Sequence, residues 1–177
     1  GIQSCLSQLV LAQNGLHLVD LATRAGQADE RVYALIEAWL SFLDQTAHFS
    51  QERAGFVLGS FALKLLSHAG YRPQLQQCLS CRLPLVSREY RWHGLKGGVV
   101  CTTCVEKDQR QWLLARDMDD ETVKLLRFGL DEPFESFLRP RLEAAHLVGF
   151  HEAVESLMVS HFPAIPMSSL RDACLVG

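Results

Sequence analysis

"CLSCRLPLVSREYRWHGLKGGVVCTTC", residues 78–104, carries two cysteine pairs, each with two residues between its cysteines. Two intervening residues let both sulfurs of a pair turn inward on a tight knuckle. Two such knuckles place four thiolates at the corners of a tetrahedron, each about 2.3 Å from a Zn²⁺ ion. The C-x2-C-x19-C-x2-C spacing of Cys78, Cys81, Cys101 and Cys104 falls in the range of structural zinc sites. Ser80, Thr102 and Thr103 suit tight turns inside the knuckles, and Gly97 and Gly98 let the chain bend close to the metal. Four thiolates close the coordination sphere, which makes the expected Zn²⁺ structural rather than catalytic.

Other chemistries use the same residues. Two disulfides would need an oxidising compartment, and no secretory signature opens the chain. A redox dithiol needs a CxxC at a helix start, whereas Cys78 follows a helix stop at Gly70 and Pro73. Four thiolates also suit an iron–sulfur cluster. His93 lies between the knuckles but is redundant beside four cysteines, and reads as a turn residue. Cys5 and Cys174 stand alone and read as small packed side chains.

Around this segment the pattern is helical. "SCLSQLVLAQ" and "LHLVDLATRAG" have helical spacing, with Gly26 as a stop. In "ADERVYALIEAWLSFLDQ", Asp29 is a cap, and Val32, Leu35, Ile36, Trp39, Leu40 and Leu43 form an apolar stripe. "SQERAGFVLGSFALKLLSHAG" has Ser50 as cap and contains Gly55 and Gly59 one turn apart. Each internal glycine costs about 1 kcal/mol against alanine, which is repaid if another helix approaches closely, so this helix is expected at the centre. Residues 83–100 read as two short strands. "VEKDQRQWLLARD" reads as a return to helix, followed by "DDETVKLLRFGL" with Asp119 as cap. Its acidic start, Asp119, Asp120 and Glu121, is explained by the helix dipole without any chemistry. Pro140 divides the last helical stretch near Arg139. "HEAVE" at 151–155 lacks the second histidine of a zinc-protease helix and reads as an exposed helix face. The tail from Pro163 reads as irregular.

The expected fold is therefore mainly α: a helical domain with an inserted small β-containing four-cysteine zinc module. The expected division is 1–72 helical, 73–108 zinc module, and 109–177 helical and packed on 1–72. The net charge is −3, yet residues 72–110 hold seven basic and three acidic residues, leaving −7 for the remainder. Arg82, Arg88, Arg91 and Lys96 in this basic island are candidate DNA contacts. Tyr90 and Trp92 alternate with its arginines and share one strand face, where burial against the helices is favoured over stacking on bases. No stretch of 18 apolar residues is present, so no membrane span is expected.

"FALKLLSHAGYRPQLQQCLSC", "GGVVCTTC" and "DDETVKLLR" resemble the C-terminal region of the RecO family of bacterial recombinational-repair mediators, and "HFPAIPMSSLRDACL" is loosely similar to its end. The resemblance implies a non-enzymatic, cytoplasmic, nucleoid-associated bacterial protein. It implies binding and annealing of single-stranded DNA, association with RecR-type and single-stranded-DNA-binding proteins, and loading of RecA. It also implies an N-terminal OB-fold carrying most DNA contacts. No such segment is found here, and the chain opens directly in helical sequence, as a fragment would. A zinc-ribbon nucleic-acid module of transcription or translation shares the cysteine spacing but needs no long flanking helices. A redox or metal-dependent enzyme would show reactive, low-pKa cysteines.

Overall fold

The computed structural model describes residues 2–22, 29–86 and 89–162, with side chains from Ser7 onward. The elements run α1 (Ile2–Ala22), α2 (Glu30–Gln45), α3 (Gln51–His68), β1 (Glu89–His93), β2 (Gly98–Cys101), α4 (Thr102–Lys107), β3 (Arg116–Asp119), α5 (Asp120–Asp131), a 3₁₀ turn (Phe134–Leu138) and α6 (Ala144–His161). The chain is mainly helical with a small inserted sheet, as the sequence predicts. Gly26, Cys174 and the tail from Pro163 lie outside the described residues, as does the side chain of Cys5.

Helix starts follow the capping residues. Asp29 Oδ1 accepts from Arg31 N at 2.9 Å, Ser50 Oγ from Arg53 N at 3.2 Å, and Asp119 Oδ1 from Thr122 N at 2.7 Å. Each satisfies an orphan donor of a first turn, typically worth about 1 kcal/mol. Lys124 pairs with Asp120 and Glu121, so the acidic start of α5 is a capped and paired helix end. On α2, Val32, Leu35, Trp39 and Leu43 are buried, but Leu40 is exposed and Phe42 takes its place inward.

α3 is the central helix and packs against α1, α2, α5 and α6. Its glycines are the approach points of α6. A Cβ on Gly59 would lie 2.6 Å from Phe150 Cε1, and one on Gly55 would lie 2.9 Å from His151 Cε1. His151 is therefore buried between helices, which corrects the reading of residues 151–155 as an exposed face.

Three basic side chains fasten helix ends to neighbouring segments through backbone carbonyls. Arg53 Nη1 and Nη2 donate to Phe137 O and Pro140 O at 2.5 and 2.8 Å, which fixes the break ahead of α6. Lys64 Nζ donates to Leu130 O at 2.9 Å, in the last turn of α5. Arg127 Nε donates to Leu75 O at 2.7 Å, tying α5 to the chain entering the first cysteine knuckle.

The sheet has the order β2-β1-β3, all antiparallel. β3 corrects the helical reading of the stretch after Cys104. That helix ends at Lys107, and Asp108 Oδ1 accepts from Gln111 N at 3.0 Å to start a turn instead. The turn sends Trp112 and Ala115 under the cysteine knuckles while Leu113 and Leu114 stay exposed. "RDMD" then alternates exposed and buried in part, with only Met118 buried, as an edge strand does. Tyr90, Trp92, Val99 and Met118 join the main helical core. Trp92 Nε1 donates to Ser156 Oγ of α6 at 2.7 Å. The aromatic face of β1 is thus packed on the helices, as favoured from the sequence.

Candidate metal centre

The first knuckle is shaped by backbone hydrogen bonds. Cys78 N donates to Leu83 O at 2.9 Å and Arg82 N donates back to Cys78 O at 3.1 Å. Arg82 closes this turn with φ at 61°, a conformation that L side chains seldom adopt. The segment before it lies along β2: Gln74 N donates to Gly97 O, Val99 N to Gln74 O and Leu79 N to Val99 O, at 2.8 to 3.1 Å. A side chain at Gly98 could not fit there, because its Cβ would lie 2.8 Å from Gln74 O. Gly97, with φ at 64°, turns the chain into β2. The second knuckle starts at Cys101, the last residue of β2 and N-cap of α4, and Cys104 sits one turn into that helix.

The result brings Cys78, Cys81, Cys101 and Cys104 together, with their Sγ atoms all within 4.8 Å of one another. A zinc tetrathiolate with bonds of about 2.3 Å has sulfur–sulfur edges of about 3.8 Å, so small side-chain adjustments complete the tetrahedron. The donor set suits a metal ion. Ser80 N and Cys101 N both point at Cys78 Sγ, at 3.4 Å, as knuckle amides do to a thiolate. Cys78 and Cys104 are buried, Cys101 is half-buried and Cys81 is exposed. Burial opposes the charged form of Cys78, but the amides of Cys101, Cys81 and Ser80 outweigh it and bring its pKa to about 7. Burial and the neighbouring Cys78 push the Cys101 thiol up to about 12. The Cys78 and Cys101 thiols thus oppose one another's ionisation, and a divalent ion would remove that conflict. Among the described residues this is the only cluster of its kind.

His93 is outside the cluster. It ends β1, is almost fully buried, accepts from Lys96 N through Nδ1 at 3.2 Å, and meets the edge of Trp112 at 5.9 Å. Burial, then Lys96, hold its pKa below the ordinary 6.5. Below about pH 6.5 the unfolded chain therefore takes up a proton that folded His93 refuses. Stability falls as the pH drops through that range and levels only below the folded pKa. The His93→Gln variant should lose less stability than wild type between pH 7 and about 5, as read from urea midpoints of the zinc-saturated proteins. Equal slopes would show that His93 does not carry this dependence.

The basic residues are spread differently. Arg91 lies on the sheet face opposite Tyr90 and Trp92, and pairs with Asp117 of β3 at 3.1 Å. Lys96 Nζ sits 5.2 Å over the Trp112 ring while the residue stays exposed. Arg82 is exposed, and Arg88 lies outside the described residues. Sequence reasoning missed Asp117, Trp112 and Arg127. The alternation in "RDMD" was the available signal for the first.

Comparison with known proteins agrees with this architecture. The family model described as "Recombination protein O C terminal" matches residues 3–170. A protein of Dehalococcoides mccartyi named DNA repair protein RecO is 28% identical over 144 residues, covering 80% of this chain and 54% of that protein. Proteins of the same name from a Roseiflexus species and from Alkaliphilus metalliredigens are 28% and 23% identical, covering 76% and 89% of this chain and 44% and 61% of theirs. The chain spans about half the length of the curated relatives it matches. No helix among the described residues is long and apolar enough to cross a membrane. A four-cysteine module built onto a central-helix body, matched from residue 3 to residue 170, identifies the chain as a member of the RecO family, within its C-terminal region.

Proposed function

We propose that this chain is the helical and zinc-binding part of a non-enzymatic mediator of recombinational DNA repair in the bacterial cytoplasm. The observation that carries the reading is the four-cysteine cluster fused to the helical core in a chain of this family. Cys78, Cys81, Cys101 and Cys104 hold one structural Zn²⁺. Residues 73–108, with Trp112, Ala115 and β3 packed on them, form the inserted module between the preceding and following helices of one structural domain. Its partners are RecR-type and single-stranded-DNA-binding proteins, and its activity supports strand annealing and RecA loading. The main DNA contacts belong to the OB-fold that the family resemblance implies, and this chain adds auxiliary ones through Arg82, Arg88, Arg91 and Lys96.

The pairing of Arg91 with Asp117 limits what that residue offers a phosphate, so the auxiliary contribution is weak and independent of sequence. Fluorescence anisotropy on an oligo-dT strand across a salt series tests it. Wild type should bind weakly, with affinity falling as salt rises. Replacing the four basic residues with Ala should flatten the logarithmic salt slope by at most about three, since each single-strand phosphate contact contributes about 0.7. Equal binding by both proteins would show that these four residues are not a DNA surface.

A further inference from the structure

The four cysteines of the cluster do not meet solvent equally. Cys78 is 1% exposed and Cys104 7% exposed, Cys101 is half-buried, and Cys81 is exposed. Cys81 lies in an exposed run from Ser80 to Pro84, so it is the open corner of the cluster. The other three are enclosed by the fold. Cys78 Sγ accepts from Ser80 N and Cys101 N, each at 3.4 Å. Cys101 stands opposite Tyr90 in the β1–β2 ladder, and Cys104 packs with Val100, Trp112 and Ala115. Oxidation of a thiolate follows access as well as thiolate character, so an oxidant in solution meets Cys81 first. All four sulfurs lie within 4.8 Å of one another, which gives an oxidised Cys81 a second sulfur at hand. Cys78 is the best placed of the three. It shares the knuckle with Cys81, with two residues between them, so a bond there leaves the β2 ladder and α4 in place.

We propose that Cys81 is the trigger of a peroxide-sensitive release of the metal, with Cys78 as its resolving partner. The inference rests on the zinc reading above. The Cys81 thiolate takes one oxygen from hydrogen peroxide and becomes a sulfenic acid, and hydroxide leaves. The Cys78 thiolate then attacks that sulfur, a second hydroxide leaves, and the Cys78–Cys81 disulfide forms. Two electrons pass from the two sulfurs to the peroxide. Only Cys101 and Cys104 then remain as thiolates, and the ion dissociates. A thiol reductant together with Zn²⁺ reverses the change. The helical core contains none of the four sulfurs and is left intact.

The test uses the zinc-loaded Cys5→Ser/Cys174→Ser chain, whose only thiols are those of the cluster. Elemental analysis comes first: a metal-free chain at that stage would fail the zinc reading and take this inference with it. Hydrogen peroxide in small molar excess should then release zinc to the dye pyridylazoresorcinol. Peptide mapping should find the Cys78–Cys81 disulfide, with Cys101 and Cys104 still open to alkylation. Dimedone present during the oxidation should label Cys81 above the others. Three cysteines and one histidine also hold structural zinc, so Cys81→His should keep the metal and release it at least about tenfold more slowly. Cys101→His leaves the open corner in place and should release zinc at close to the parent rate. If either histidine variant arrives without zinc, the dimedone map of the parent chain decides alone. Dimedone spread over the enclosed cysteines, a disulfide other than Cys78–Cys81, or release from Cys81→His at the parent rate overturns the proposal. So does a zinc-loaded parent that keeps its metal under peroxide.

Discussion

The Cys101→Ser variant should lose its zinc and the order of residues 75–105 while keeping most of its helix. Elemental analysis should find about one zinc per chain in wild type and markedly less in the variant. Binding of structural zinc supplies about 10–16 kcal/mol in finger peptides, more than a module with so little apolar surface can replace. The second apolar cluster consists of only Cys78, Val100, Cys104, Trp112 and Ala115, with a few half-buried neighbours. The helices have a separate source of stability in the core around α3. The tryptophans sample both layers: Trp112 packs in the module's own cluster, Trp92 lies on β1 but against the helical core, and Trp39 packs 4.7 Å from Phe61 within that core. Tryptophan fluorescence should therefore move to the red in the variant, while far-UV circular dichroism changes little. Loss of nearly all helical signal would show that the metal holds the whole chain together. Four thiols paired as disulfides in the purified wild type, with no metal, would remove the zinc assignment itself.

The Phe150→Ala variant should lose about 3–5 kcal/mol of stability, the usual range for emptying a buried aromatic site. Phe150 is fully buried, 5.1 Å from the Phe56 ring, and is received by two glycines on different helices. A Cβ at Gly59 would lie 2.6 Å from its ring, and one at Gly129 would lie 3.3 Å away. Gly59→Ala gains about 1 kcal/mol of helix propensity but forces the ring to move, and overpacking of this kind costs about 1–3 kcal/mol. The net change should be destabilising. Phe150→Leu makes room for the new methyl, so Gly59→Ala/Phe150→Leu should be more stable than the sum of the single changes by about 0.5 kcal/mol or more. Urea denaturation of the four proteins measures this. Strict additivity would mean that α3 and α6 can separate without cost.

The central role of α3 was legible because two glycines in an otherwise good helix have few physical explanations. The four-cysteine cluster was legible because its spacing is set by local turn geometry. The caps Asp29, Ser50 and Asp119 are likewise local, and each accepts the expected amide. What the sequence concealed depends on partners far along the chain. β3 is strand because β1 offers it a ladder, and "VEKDQRQWLLARD" has no strong period to reveal that. Trp112 faces inward only because a turn at Asp108 brings it beneath the knuckles. His151 looked like a surface histidine because the gap that receives it lies at Gly55, almost a hundred residues earlier.

Arg53, Lys64 and Arg127 grip main-chain carbonyls, groups with no proton to gain or lose across the ordinary range. The knuckles depend on sulfurs that must give up protons to hold a cation. The chain therefore has two kinds of fastening with different chemical weaknesses. Mild acid or a chelator attacks one kind and leaves the other intact, so the metal module can come undone while the helices stay joined. Of those three grips the Arg127 link to Leu75 reaches the module, and together with the Trp92 hydrogen bond to Ser156 it would keep the loosened module leashed to the helices.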